Sequence, residues 1–313
     1  AVPKPGLGKK LEARERKILK TVKEKLPADE IANLIAETKK LQELQLAPDS
    51  PEALATLPSL EIQDVPKEIE KYPLEIKNQS GAKVLFHDLF TNDIAYTQIG
   101  FNTHSVPVEM VPYIPLLGTL VLGMGTSRHS YTEISKLIGM HTGGIRTSHF
   151  SSATVQDRHQ VLSYIFFSGK ALMEKVDNLF DIFDELLGEY SFDDHKRLVE
   201  IIRSAKSDME DSIVPHGNHY VMARLQSYQS RLGQFDELTD GITYYRFLEQ
   251  LLERVKKDPG EVAGQFRQVA ERVFTRKNVF FNITATQKDY RKIEKRIGGT
   301  VGTLSDKGWK VEE

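Results

Sequence analysis

Hydrophobic and polar positions alternate along this chain in two rhythms. Ile94–Phe101 alternates β-branched and aromatic residues with polar ones, the pattern of a half-buried strand. Val84–Phe90 reads as its partner, with Thr91, Asn92 and Asp93 as the hairpin turn between them. Ile145–Ser152, Val161–Phe167 and Asn278–Thr284 supply three further strands. Elsewhere the spacing is three and four. Met110, Tyr113, Ile114, Leu117 and Val121, with Leu116, Leu120 and Leu122 beside them, predict a helix apolar nearly all round, hence buried. Pro107 fits its first turn, while Pro112 and Pro115 ask for a kink or a later start. Gly123, Gly125 and Thr126 end it, and Ser130 with Glu133 makes a capping box for the next helix.

Amphipathic helices follow in series. Leu172, Val176, Leu179, Phe180, Phe183 and Leu187 form one apolar face. Another helix, begun by Ser191 and Asp194, runs through Leu198, Ile201, Ile202, Ala205 and Met209. Helices over Tyr220–Leu232, Ile242–Val255, Val262–Val273 and Gln287–Arg296 complete the set. Strands followed by packed helices predict an α+β fold, with helices over one face of an antiparallel-rich sheet.

The front of the chain differs. Lys9–Leu26 is highly charged, with only Leu11, Ile18, Val22 and Leu26 as an apolar stripe. After Pro27, Asp29 can cap a second helix holding Ile31, Leu34, Ile35, Leu41 and Leu44; the two read as an antiparallel helical hairpin. Ala47–Pro73 then holds five of the chain's 13 prolines and predicts an extended connector laid over a surface. The predicted organisation is a hairpin over 1–46, a Pro-rich connector over 47–75, an α/β domain over 76–297 and a frayed or truncated tail over 298–313.

The order strand, buried helix, Gly-Thr, short helix, Leu-Ile-Gly, Gly-Gly, strand resembles the repeat unit of the pitrilysin-type (insulinase-type) zinc metallopeptidases, a LuxS/MPP-like unit. A hairpin followed by Pro48-Asp49, Pro51-Glu52-Ala53-Leu54, Pro58 and Asp64-Val65-Pro66-Lys67-Glu68 is similar to the linker of the presequence-protease branch. In that family the buried helix of the catalytic unit carries His-x-x-Glu-His, whose two His share a helix face and bind Zn²⁺ while the Glu activates water. Anchored on Gly125-Thr126, the equivalent positions here are Leu116, Thr119 and Leu120, which can do neither. The resemblance therefore implies the linker hairpin and third, non-catalytic unit from the C-terminal half of a presequence-protease-like endopeptidase that degrades unstructured peptides. It implies zinc in the intact parent and none in this chain. The partners it implies are the N-terminal catalytic half, the fourth domain of the same parent and peptide substrates. The alternative is a free-standing non-catalytic subunit of the same fold, serving assembly or peptide binding. The start at Ala1, without an initiator Met, is consistent with an excised fragment.

Composition narrows the rest. With 40% hydrophobic and 27% charged residues the chain is of ordinary globular make-up, and a net charge of −2 gives no general attraction to nucleic acid. The longest apolar run, Tyr113–Met124, is broken by Pro115, Gly118 and Gly123 and is too short to span a membrane. The expected setting is a bacterial cytoplasm or an organelle matrix or stroma. The absence of cysteine removes disulfides and thiolate sites. His216 and His219 invite a metal reading, but Pro215 and Gly217 make a helix entry the better one. His129, His141, His149 and His159 are scattered, and structural or surface roles are expected of them. Gly123–Thr126 lacks the Lys and the spacing of a phosphate loop and reads as a turn. Gly143-Gly144 reads as a tight strand entry. Tyr290, Lys292, Lys295 and Arg296 read as a solvated helix face, with substrate contact as the alternative. No catalytic, metal-binding or substrate-binding residue is assigned.

Overall fold

The computed structural model describes residues 6–309. The chain divides into two compact units, Ala1–Glu70 and Lys71–Glu313, each taken by itself below.

In the first unit, α1 (Leu7–Lys25) and α2 (Ala28–Leu46) form where the stripes predict them, broken at Leu26-Pro27. Neither helix buries a residue. Leu11, Ile18, Leu34 and Leu41 stay about half-exposed, so the hairpin's apolar stripes are not covered between the two helices. The Pro-rich stretch holds one short helix, α3 (Pro51–Leu54), capped by the Ser50 side chain, and a 3-10 turn at Ile62–Asp64. Its residues are exposed, Ile62 and Ile69 almost fully.

The second unit is a mixed six-stranded sheet with helices on one face. Its strands are β1 (Glu75–Gln79), β2 (Ala82–Asp88), β3 (Ile94–Asn102), β4 (Ile145–Ala153), β5 (Val161–Leu172) and β6 (Val279–Ala285), in the order β1-β2-β6-β3-β5-β4. Ser80 and Gly81, both with positive φ, turn β1 into β2; β1 is not among the strands predicted from the sequence. The expected β2–β3 hairpin is not formed. Asn92 and Asp93 do adopt left-handed turn conformations, but β6 lies between the two strands, parallel to β2 and antiparallel to β3. VFFNITA alternates so regularly that Val279, Phe281, Ile283 and Ala285 are all buried on the helix side, a demand that only a central position meets.

The buried helix is α4 (Ile114–Met124). A 3-10 segment, Val108–Tyr113, precedes it, so the later start is the outcome and Pro115 falls in the first turn. It lies directly on the sheet, because a Cβ on Gly118 would come within 2.8 Å of Thr147 Cβ. Gly125, at φ 90°, ends it and the Ser130–Glu133 capping box opens α5 (Tyr131–His141). The expected start of the next helix is corrected at Leu172, which is the last residue of β5; α6 is Val176–Gly188. Then come α7 (His195–Ile213), capped by Asp194, α8 (Gly217–Ser227), α9 (Arg231–Thr239), α10 (Ile242–Lys257) and α11 (Pro259–Val273). The single helix expected over Tyr220–Leu232 is two, broken at Tyr228–Ser230. Gly233 lets α9 sit hard against the end of α8, since a Cβ there would collide with the Gln226 carbonyl. The helix α4 and, beside it, α6, α9 and α12 (Gln287–Thr303) contact the sheet, while α7 and α11 pack against α4 and α10 packs on α7 and α11.

The expected tail is also corrected. α12 does not end at Arg296 but runs through Gly298 and Gly299 to Thr303, because Thr300, Val301 and the following Leu304 are buried. Burial outweighs the helix-breaking tendency of the glycine pair. Residues 310–313 of that tail lie outside the described residues.

Leu120 is fully buried on α4. Leu120→Ala is expected to cost about 2–5 kcal/mol, as large-to-small changes in such sites do, read as a lowered denaturant midpoint with an unchanged slope. A loss below about 0.5 kcal/mol would mean the helix is not clamped as described.

Candidate functional site

Strand alternation places every second residue of the sheet away from the helices, and among the described residues no helix of the second unit covers that face. Pairing registers align these residues in rows across the strands. One row is Leu85, Asn282, Gln98, Ser168 and Arg146; two residues along lie Lys83, Phe280, Gly100, Phe166 and Ser148. Beyond the first row lie Thr284, Tyr96 and Lys170, and beyond the second Asn102, Tyr164 and Phe150.

The two ends of this face differ in chemistry. At one end Gln98 donates from Nε2 to Ser168 Oγ (3.0 Å) and Asn282 donates from Nδ2 to Gln98 Oε1 (3.3 Å). Asn282 Oδ1 is buried without a partner. These amides floor a groove of about 440 Å³, flanked by the exposed cations Arg146 and Lys170 and rimmed by Tyr96 and the Gly143-Gly144 turn. The Lys170 stem lies against Gly143, whose N–H donates to the Lys170 carbonyl (2.7 Å). At the other end Phe280 meets Tyr164 and Phe166 edge-on, at centroid separations of 5.4 and 5.8 Å. Gly100 makes room for them, since a Cβ there would lie 2.8 Å from Phe166 and closer still to Phe280. A second hollow of about 810 Å³ opens over these rings, beside half-exposed Phe150 and the cations Lys83 and Lys277.

The residues singled out in the sequence lie elsewhere. Leu116 and Leu120 point into the core and Thr119 is exposed. Among the described residues no group of three or more His, Asp or Glu is placed to hold a metal ion. At the Gly123–Thr126 turn the local amides are already used: Thr126 N–H on the His129 carbonyl, Ser127 N–H on that of Glu189, and Arg128 and His129 N–H on Thr126 Oγ1. Glu185 takes the adjoining space, accepting from Thr126 and contacting His129 Nδ1 at 2.9 Å. A carboxylate in that place repels an anion.

His216 takes the N-cap position of α8 without a side-chain capping bond, while His219 contacts Asp240 at 3.0 Å. His141 is on α5 and His159 in the β4–β5 loop. The fold does bring His149 and His219 to one hollow, of about 580 Å³, with Ser151, Asp236 and Asp240. There Ser151 donates to Asp236 (2.6 Å), whose carboxyl is held above the usual range by burial. The basic-aromatic face of α12 is largely engaged within the fold. Tyr290 is buried against Phe86 at 4.3 Å, Lys292 pairs with Asp177 (3.0 Å), and Arg296 pairs with Asp181 and Asp184 of α6. Lys295 stays open to solvent. Sequence reasoning missed the open sheet face. Its available signal was the pair of mid-strand amides, Gln98 between Thr97 and Ile99 and Asn282 between Phe281 and Ile283.

The sequence profile of the associated domain of the peptidase M16 family, subgroup C, matches residues 2–251. The chain belongs to that family. It is 29% identical over 311 residues to "Protein HypA" of Clostridium perfringens, covering 99% of this chain and 32% of that protein. It is 32% identical over 304 residues to "Presequence protease 1, chloroplastic/mitochondrial" of Arabidopsis thaliana, covering 97% and 28%. It is 28% identical over 249 residues to the mitochondrial presequence protease of Saccharomyces cerevisiae, covering 77% and 24%. The chain thus spans about a third or less of the length of these relatives. Its fold is shared with a crystal structure described as the peptidase M16 inactive domain from Pseudomonas fluorescens, at a TM-score of 0.52 and 14% identity, over 77% of this chain and 53% of that one. The pitrilysin-type, presequence-protease-like resemblance and the α+β fold with its helix-covered sheet are thereby established.

Burial pushes the His149 imidazole down from 6.5 to about 4. It sits beside Phe235 and Ser163 on the helix side of the sheet. The unfolded chain therefore binds this proton before the folded one does. The stability His149 supplies is complete above pH 6.5 and is lost as pH falls through that window, up to about 3 kcal/mol. His149→Gln is expected to flatten the fall in urea midpoint between those pH values; an unchanged slope would remove His149 as its source.

Proposed function

We propose that this chain is the non-catalytic part of a presequence-protease-like zinc metalloendopeptidase that degrades unstructured peptides. The observation carrying this reading is α4. It occupies the place of the family's zinc helix, yet presents Leu116 and Leu120 to the core and Thr119 to solvent. A helix so built can organise a core and cannot activate water. What the chain offers to a peptide is instead its uncovered sheet face, which serves as part of a chamber wall. The first unit, with its uncovered apolar stripes, acts as the linker between the halves and as a packing surface for other domains of the parent. Zinc and base come from the catalytic half. Among the described residues no helix is long and apolar enough to cross a membrane, and the parent works in a bacterial cytoplasm, mitochondrial matrix or chloroplast stroma. The free-standing subunit is not favoured, since the relatives carry the matching stretch within chains about three times as long.

The test is turnover of a quenched, unstructured peptide in the presence of zinc. The purified chain is expected to give none alone, and cleavage is expected when a catalytic half carrying His-x-x-Glu-His is added. Zinc-dependent turnover by the chain alone, co-purifying with it through orthogonal columns, would overturn the reading.

A further inference from the structure

The open sheet face carries a ligand preference of its own. No acidic residue lines the groove over Gln98, Ser168 and Asn282, yet two exposed cations, Arg146 and Lys170, flank it. The buried Asn282 Oδ1 lacks a donor within the sheet, so this end of the face is polar beneath its surface. The Tyr164, Phe166 and Phe280 rings lie further along the same strands. Phe166 and Lys170 are both on β5 and both face outward, four residues apart, hence about 13 Å in an extended strand.

We infer that this face selects extended peptide segments bearing a carboxylate about four residues from an aromatic side chain, the carboxylate meeting Lys170 and Arg146 and the ring resting on Phe166 and Phe280. This deepens the chamber-wall reading and rests on it. Phe280 meets its two neighbours edge-on, and all three rings are half-buried around Gly100. Rings held so tightly leave an apolar seat for one side chain. The flat, separately presented rings that successive nucleobases need are not there. The sign of the charge sets the selectivity. A basic side chain over the groove would meet two cations with no intervening acid, a repulsion that works against binding.

The test measures binding to the full chain by fluorescence anisotropy. The probes are labelled nine-residue Gly/Ser peptides carrying Phe and, four positions on, Glu, Gln or Lys, together with a peptide carrying Ala and Glu. A nine-nucleotide single-stranded oligouridylate is titrated in parallel. The Phe–Glu peptide is expected to bind about two- to fivefold tighter than Phe–Gln, the scale of one partly exposed charge pair, and Phe–Lys weakest. The double variant Arg146→Ala/Lys170→Ala should erase the difference between Glu and Gln, while Lys196→Ala, exposed on α7, should keep it; circular dichroism checks that each is folded. Equal binding of the Glu, Gln and Lys peptides would overturn the charge selectivity and leave the peptide-facing wall intact. Absence of peptide binding up to about 1 mM, or tighter binding of the oligouridylate, would overturn both.

Discussion

β6 hydrogen-bonds β2 on one side and β3 on the other, so the two parts of the sheet formed earlier in the chain, β1–β2 and β3–β5–β4, meet only through it. Val279–Ala285 thus enters between strands that lie far back in the sequence, with all the helices from α4 to α11 in the intervening chain. Such long-range closure is entropically demanding, and it is stabilised by burying four alternate side chains of one short strand. The helix that follows completes the arrangement. Tyr290 packs on Phe86, Arg296 ties α12 to α6, and the Thr286 side chain caps the entry. The same strand carries Asn282 and Phe280 to the middle of the opposite face. One element therefore closes the core and sets the centre of the candidate binding surface.

That double duty explains why the two faces differ so sharply. The helix side is apolar and close-packed, down to the glycine that lets α4 touch β4. The other side is neither a second core nor an ordinary solvated surface. It holds an amide and hydroxyl network at one end and three interlocked rings at the other. Polar groups mid-strand with one oxygen unpaired, next to unshielded cations, cost stability in an isolated sheet. They make sense on a surface that meets something else. The α4 helix, by contrast, carries packing residues, with Leu116, Leu117, Leu120 and Val121 all buried.

Much of the fold was legible because the buried faces are periodic. The strands at Ile94, Ile145, Val161 and Asn278, the capped α5 and the series α6, α7, α10 and α11 all follow from spacing alone. Topology did not follow. The Thr91–Asp93 turn carried a hairpin signal that the distant β6 overrode, and a register fixed by tertiary pairing leaves no mark in local sequence. The glycines of α12 read as an ending, but the burial of Thr300 and Val301 kept the helix going. The site was the least legible part. The histidines and the Gly-x-Gly turn stand out in the sequence, yet the turn's amides are satisfied locally, and among the described residues the histidines lie apart, His141 on α5, His159 in a loop and His216 at the start of α8. The open-face residues are ordinary Gln, Ser, Arg, Lys and Phe, spread over strands far apart in sequence, and only the register aligns them.

The most direct test of the central claim is to locate a bound peptide on the chain. A nine-residue peptide with benzoylphenylalanine in the aromatic position and Glu four residues on is irradiated with the full chain, and the adducts are mapped by mass spectrometry. Adducts concentrated in β3, β5 and β6, with Phe150 of β4 at their margin, are the expected result. Adducts on the far side of the molecule, on α7, α10 or α11, would contradict the account and return the open sheet face to a surface without a ligand.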